Sequence, residues 1–195
     1  MTTGGGARAL VSRFGQLPPT VRVASIGLAG AIVAVVLYII GRAHTPNYAT
    51  GLFGQTAFNA IILKSALATA ALGLAVVQVL LALWIYRKLP LAGRAPKRIG
   101  LTHRIIGGVL FALTIPIAIH CFLAYGVVLT DTRHVIHSIA GCVFYGAFVA
   151  KVLLVQSRRL PGWALPVAGG LLALLVALLW YTSALWYYNG FSVPI

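Results

Sequence analysis

Five long runs of apolar residues set the pattern of this chain, and short polar stretches separate them. They cover about 23–41, 57–86, 104–126, 132–155 and 163–188. A helix rises 1.5 Å per residue, so about 20 apolar residues cross the hydrocarbon of a bilayer. Inside lipid a spanning segment must satisfy its own backbone hydrogen bonds, which for single runs of this length means α-helix. The pattern predicts an all-α fold, an integral membrane bundle of five transmembrane helices forming one domain over 23–195. Residues 1–22 carry Gly, Pro and Arg and are expected to be a poorly ordered tail. The first run is longer than a signal-peptide core and lacks a small-x-small cleavage site, so it is expected to stay as an uncleaved span.

Composition leads to the same class: 61% of residues are hydrophobic and 8% charged, far from ordinary soluble domains. The charge is one-sided, with fifteen Lys and Arg against a single acid, Asp131. In a soluble protein that balance would suggest nucleic acid. Here the cations gather at the ends of apolar runs, so topology explains them and no nucleic-acid partner is expected. One side of the bundle collects Arg8, Arg13, Arg22, Arg87, Lys88, Arg94, Lys97, Arg98, Arg104, Arg158 and Arg159. The other side has Arg42 and Arg133, while Lys64 and Lys151 lie within runs. The positive-inside rule then puts the amino terminus in the cytoplasm and the carboxyl terminus outside a cytoplasmic (plasma) membrane. Cys121 and Cys142 lie in spans without a CxxCH pattern, which excludes covalent haem attachment. Their depths differ by about 9 Å, too far for a disulfide.

Candidate chemistry concentrates between His103 and Lys151, which holds four of the five histidines. His120 and His137 sit within apolar sequence, where an ionisable side chain marks a functional site. With Gly126 ending the third span and Asp131 capping the fourth, each lies about 9 Å below the same surface. The short turn makes their helices neighbours. Matched depth on adjacent helices is what a haem with two imidazole ligands needs. Gly141, four residues after His137, leaves room for a porphyrin, and Phe144 and Phe148 continue that face. The expected cofactor is one non-covalent haem b, with His120 and His137 as metal ligands. Without a cofactor, the same two side chains would be interhelical hydrogen-bonding residues.

Other residues complete or compete with that site. His134, one turn nearer the surface, is the alternative ligand to His137, but matches the depth of His120 worse by about 4.5 Å. His103, with Gly107 four residues on, would suit an inner haem. Its 17-residue spacing turns it about 100° from His120, and no other span has a histidine at its inner end. A second haem is therefore not expected there, and His103 reads as an interfacial base. Lys64 and Arg133 either pair with haem propionates or, for Lys64, simply snorkel to the surface.

The motifs HRIIG (His103–Gly107) and HSIAG (His137–Gly141), with His120 between them, resemble transmembrane cytochromes b of the b561 and ferric-reductase type over the third and fourth spans. The chain as a whole, especially residues 137–170, resembles a family of small multi-pass actinobacterial membrane proteins often encoded beside Rieske-type iron–sulfur proteins. The resemblance implies an oxidoreductase role in electron transfer. Electrons from a membrane quinol or an inner donor would pass through haem to an extracytoplasmic iron–sulfur partner. Proteins of the b561 type hold two haems on four ligands, and this chain lacks the fourth histidine. Two rival readings stand beside it, a cofactor-free structural or assembly subunit and a small transporter or channel. Against the transporter, the spans contain no Asp or Glu and no pair of broken helices.

Overall fold

A computed structural model describes residues 18–90, 93–157 and 160–194. Among them are five helices long and apolar enough to cross a membrane, and no strand beyond one isolated bridge between Leu52 and Gln55. They are α1 (Pro19–Ala43), α2 (Ala57–Ile85), α3 (Ile99–Tyr125), α4 (Thr132–Gln156) and α5 (Ala164–Trp180). The fifth helix runs on through a π-helical turn, Tyr181–Leu185, into the last turn α6 (Trp186–Tyr188). The all-α, five-helix architecture is therefore as expected. Residues 18–22 of the expected tail belong with α1, because Pro19 suits the first helical turn, where no N–H is needed. Residues 1–17, Arg158 and Arg159 lie outside the described residues. Helix α3 begins ahead of its apolar run, at Ile99, since helical hydrogen bonding serves the backbone in the interfacial layer as well.

The helices are apolar all round. Leu28, Ile32, Val35 and Ile39 of α1 are exposed on one flank, while Ile26 and Gly30 are buried on the other. That is expected when the surrounding solvent is lipid, as apolar as the core itself. Helix α4 packs against α1 and α5, and α2 packs against α3 and α5. Helices α3 and α4 are joined by a short turn yet barely meet along their backbones. The α1–α4 contact is the closest in the bundle. A Cβ built on Gly30 would fall 2.6 Å from the Gly146 carbonyl oxygen and 3.0 Å from the Ala150 methyl. Missing side chains let these two backbones touch, the usual way membrane helices gain packing energy. A core of Ala75, Leu110, Ala140, Phe144, Leu172, Leu175 and Val176 joins the remaining helices.

The α3–α4 turn is tied down at both ends. Gly126 closes α3 at φ 66°, in the left-handed region, and its N–H bonds the Phe122 carbonyl at 2.9 Å. A Cβ there would meet the Gly41 carbonyl at 2.7 Å, so both the conformation and the crowding demand glycine. The next residue, Val127, donates its N–H to that Gly41 carbonyl at 2.9 Å, locking the end of α1 to the turn. Asp131 caps α4, its carboxylate accepting the His134 N–H at 3.1 Å and pairing with the His134 ring.

Hydrogen bonds from the His134 ring and backbone hold the Asp131 carboxyl down at about 2, against 3.8 ordinarily. A carboxyl depressed in the folded state stabilises the fold above its ordinary value and stops doing so as pH falls through the folded value. Thermal unfolding in detergent, followed by circular dichroism, should therefore show stability falling between about pH 4 and pH 2. Asp131→Asn, which keeps the cap but cannot titrate, should flatten that slope. A slope that survives the substitution unchanged would mean that Asp131 does not carry the acid sensitivity.

Candidate functional site

The gap between α3 and α4 is a hollow of about 490 Å³. One wall is α3, through Thr114, Ala118 and Cys121; the other is α4, through His137, Gly141, Cys142 and Phe144. Val176 and Leu179 of α5 and Ala68 of α2 also line it, and the lining is overwhelmingly apolar. Struts at each end keep the helices apart. On one side the Phe111 and Phe148 rings stack at 3.6 Å, and the Tyr145 hydroxyl donates to the Thr114 carbonyl at 3.0 Å. On the other side the Ser138 hydroxyl donates to the Val128 carbonyl and accepts its N–H, at 3.1 and 3.2 Å. Gly141 lines the space between these struts, where a Cβ would only just touch Leu179.

His137 is the one imidazole among the residues lining this space. Its Nδ1 lies 2.9 Å from the Thr182 hydroxyl, which donates its own proton to the Leu178 carbonyl at 2.8 Å. With its proton on that carbonyl the hydroxyl accepts, which assigns the ring proton to Nδ1 and the lone pair to Nε2. Nε2 makes no hydrogen bond among the described residues. Thr182 is fully buried, and it sits in the π-helical turn, where one extra residue per turn re-aims the side chains. A histidine whose second nitrogen is anchored in this way is the arrangement metal-binding imidazoles use.

A chain of contacts runs from Thr182 to the surface. Arg133 donates to the Thr182 carbonyl at 3.0 Å, lies 4.0 Å over the Trp186 ring, and donates to His134 Nε2 at 2.7 Å. His134 Nδ1 faces Asp131. Both His134 nitrogens are thus engaged, and it offers no lone pair to the hollow.

His120 lies elsewhere. Ala118 is central to the α3 wall of the hollow, and His120, two residues on, is turned about 200° away from it. It is buried, 3% exposed, beneath the α1–α2 loop, where Nε2 donates to the Thr50 carbonyl at 3.1 Å. Its Nδ1 is buried without a partner among the described residues. Tyr125 stands 6.0 Å from the imidazole, and Lys64 Nζ sits 4.6 Å over the Tyr125 ring. The structure therefore does not bring His120 and His137 face to face across the turn. Equal depth says nothing about direction around a helix axis, and the α3 backbone packs on α2, meeting α4 only through side chains. Lys64 stands by Tyr125 on the His120 side and Arg133 by Trp186 on the His137 side, and neither lines the hollow.

His103 stands at the start of α3, its carbonyl accepting from Gln78 Nε2 at 2.7 Å, with Nδ1 buried and unpartnered. It is not among the residues lining the hollow. Cys121 and Cys142 are free thiols on opposite walls of it. The functional side chain that sequence reading missed is Thr182, outside the histidine-bearing segment. The Thr182–Ser183 pair within an apolar run was the available signal.

Among the described residues no three His, Cys, Asp or Glu side chains gather as a metal site. A macrocycle that brings four donors of its own asks the protein for only one or two more. What the residues offer is one oriented imidazole beside an apolar slot. No curated protein and no solved structure matches the chain. Residues 23–195, all five spans and with them both walls of the slot, match the "Family of unknown function (DUF6529)", and the chain belongs to that family.

Proposed function

We propose that the chain is a membrane-embedded b-type haem protein that relays single electrons, with haem seated between α3 and α4 and His137 as its axial ligand. The carrying observation is that His137 lines an apolar slot with Nδ1 held by the Thr182 hydroxyl and Nε2 without a partner among the described residues. The fit extends to volume and lining, since a slot of about 490 Å³ lies in the range of ligand and cofactor sites. It extends to one axial ligand and not to two, because His120 turns away. Haem supplies one-electron chemistry when bound. The protein's part is to orient the ligand through Thr182, exclude water with Phe144 and its neighbours, and hold Arg133 at the rim for propionates. The resemblance to b561-type cytochromes supports the redox reading, and an iron–sulfur partner of Rieske type would dock on the face that carries Asp131.

The test is an optical spectrum, oxidised and dithionite-reduced, of protein purified after haem-supplemented expression. The wild type should show a b-type spectrum, His137→Ala should lose it, and His120→Ala should keep it. Loss in both variants would restore two-histidine ligation, and a wild type without a Soret band would end the haem reading. One observation favours a second occupant, a quinol. No cation lines the slot itself, and a bare Nε2 can accept a quinol O–H. Haem-free protein that co-purifies with an isoprenoid quinone, released by His137→Ala, would select it.

A further inference from the structure

At the opposite end of α3 a second hollow, of about 260 Å³, opens where α2 ends and α3 begins. Its lining is unlike that of the first. Three of its seven residues are cations, Arg87, Arg94 and Lys97. We propose that this hollow binds a phosphate-bearing anion, supplied by the headgroup of an anionic phospholipid in the adjoining leaflet.

Among the described residues no acidic side chain lies beside these cations. The only acid, Asp131, follows the far end of the 27-residue α3, about 40 Å away along the helix. Three like charges around one small space repel one another until an external anion enters. General cationic bias at a membrane face would leave them scattered, whereas the backbone here brings all three, each exposed, to the border of one hollow. Helix α2 ends with Arg87 N–H on the Trp84 carbonyl at 3.0 Å and Lys88 N–H on the Leu83 carbonyl at 2.8 Å. That closure puts Arg87 at φ 55°, a position usually given to glycine. The loop returns to the same place because Trp84 Nε1 donates to the Gly93 carbonyl at 2.9 Å. Trp84 also sets the level, since tryptophan favours the headgroup layer. Phospholipid headgroups are the phosphates present at that depth, and basic pockets at helix ends are suited to them.

The test titrates the purified full chain, in a neutral detergent, with phosphatidylglycerol, phosphatidylcholine and inorganic phosphate. Phosphatidylglycerol should bind, phosphatidylcholine should not, and Arg87→Gln, Arg94→Gln and Lys97→Gln should each weaken binding about fivefold. Lys88→Gln, on the same face but outside the hollow, should leave binding unchanged. Inorganic phosphate competing at comparable concentration would support phosphate recognition with a soluble source. Equal loss in Lys88→Gln, or no preference for phosphatidylglycerol, would overturn the proposal in favour of diffuse attraction. Neither result depends on haem binding.

Discussion

Gly146→Leu should be the most damaging single substitution in the bundle. A Cβ at Gly146 would run into the Gly30 carbonyl oxygen and meet Ala34 Cβ at 3.0 Å and Ala34 N at 3.2 Å. Those neighbours are backbone or backbone-fixed, so no rotamer change relieves the clash, and α1 must move off α4. Overpacking a core costs about 1–3 kcal/mol when side chains can adjust. Here they cannot, and a loss above about 3 kcal/mol is expected. Gly73→Leu is the control, because a Cβ there meets nothing and the residue faces lipid. It should change stability by less than about 0.5 kcal/mol. Denaturant-induced unfolding in mixed micelles, followed by circular dichroism, measures both. Equal stability of the two variants would mean that α1 and α4 are not in backbone contact.

Thr182→Val should weaken cofactor binding with little change of shape. Valine nearly matches the volume of threonine but cannot accept the His137 Nδ1–H. The imidazole then loses the partner that sets its tautomer and direction. Losing such a supporting group costs about 10–100-fold in metal-site affinity. Haem titration of the apoprotein should show a drop of that size, and Thr182→Ser, which keeps the hydroxyl, should restore most of it. A merely structural role for Thr182 predicts something else, namely lower thermal stability in Thr182→Val with unchanged haem affinity. This experiment also separates the two histidines, since nothing at Thr182 touches His120.

The number, order and lengths of the helices were legible in the residues. A run that enters lipid must bond its own backbone, so length and apolarity suffice to place it. The turn was legible too, because Gly126 and Asp131 act locally, one by reaching positive φ and the other by capping the next helix. Where the cations would gather along the chain was equally plain, though the hollow among Arg87, Arg94 and Lys97 was not.

Direction around each helix was decided by tertiary structure alone. In water, polar residues mark the outer face of a helix, and periodicity reveals the inner one. In lipid both faces are apolar, so the pattern along α3 carries little record of which side meets α4. His120 and His137 share a depth that counting residues recovers, yet the packing of α3 on α2 turns one imidazole to the Thr50 carbonyl. The packing of α4 on α5 turns the other to Thr182. The slot lies between the Phe111–Phe148 stack, which links α3 to α4, and the Ser138–Val128 bonds, which tie α4 to the turn, all contacts outside the local pattern. Sequence alone settled which segments can cross a membrane and how far each histidine lies from its helix end; contacts between residues far apart in the chain settled which of them faces the slot.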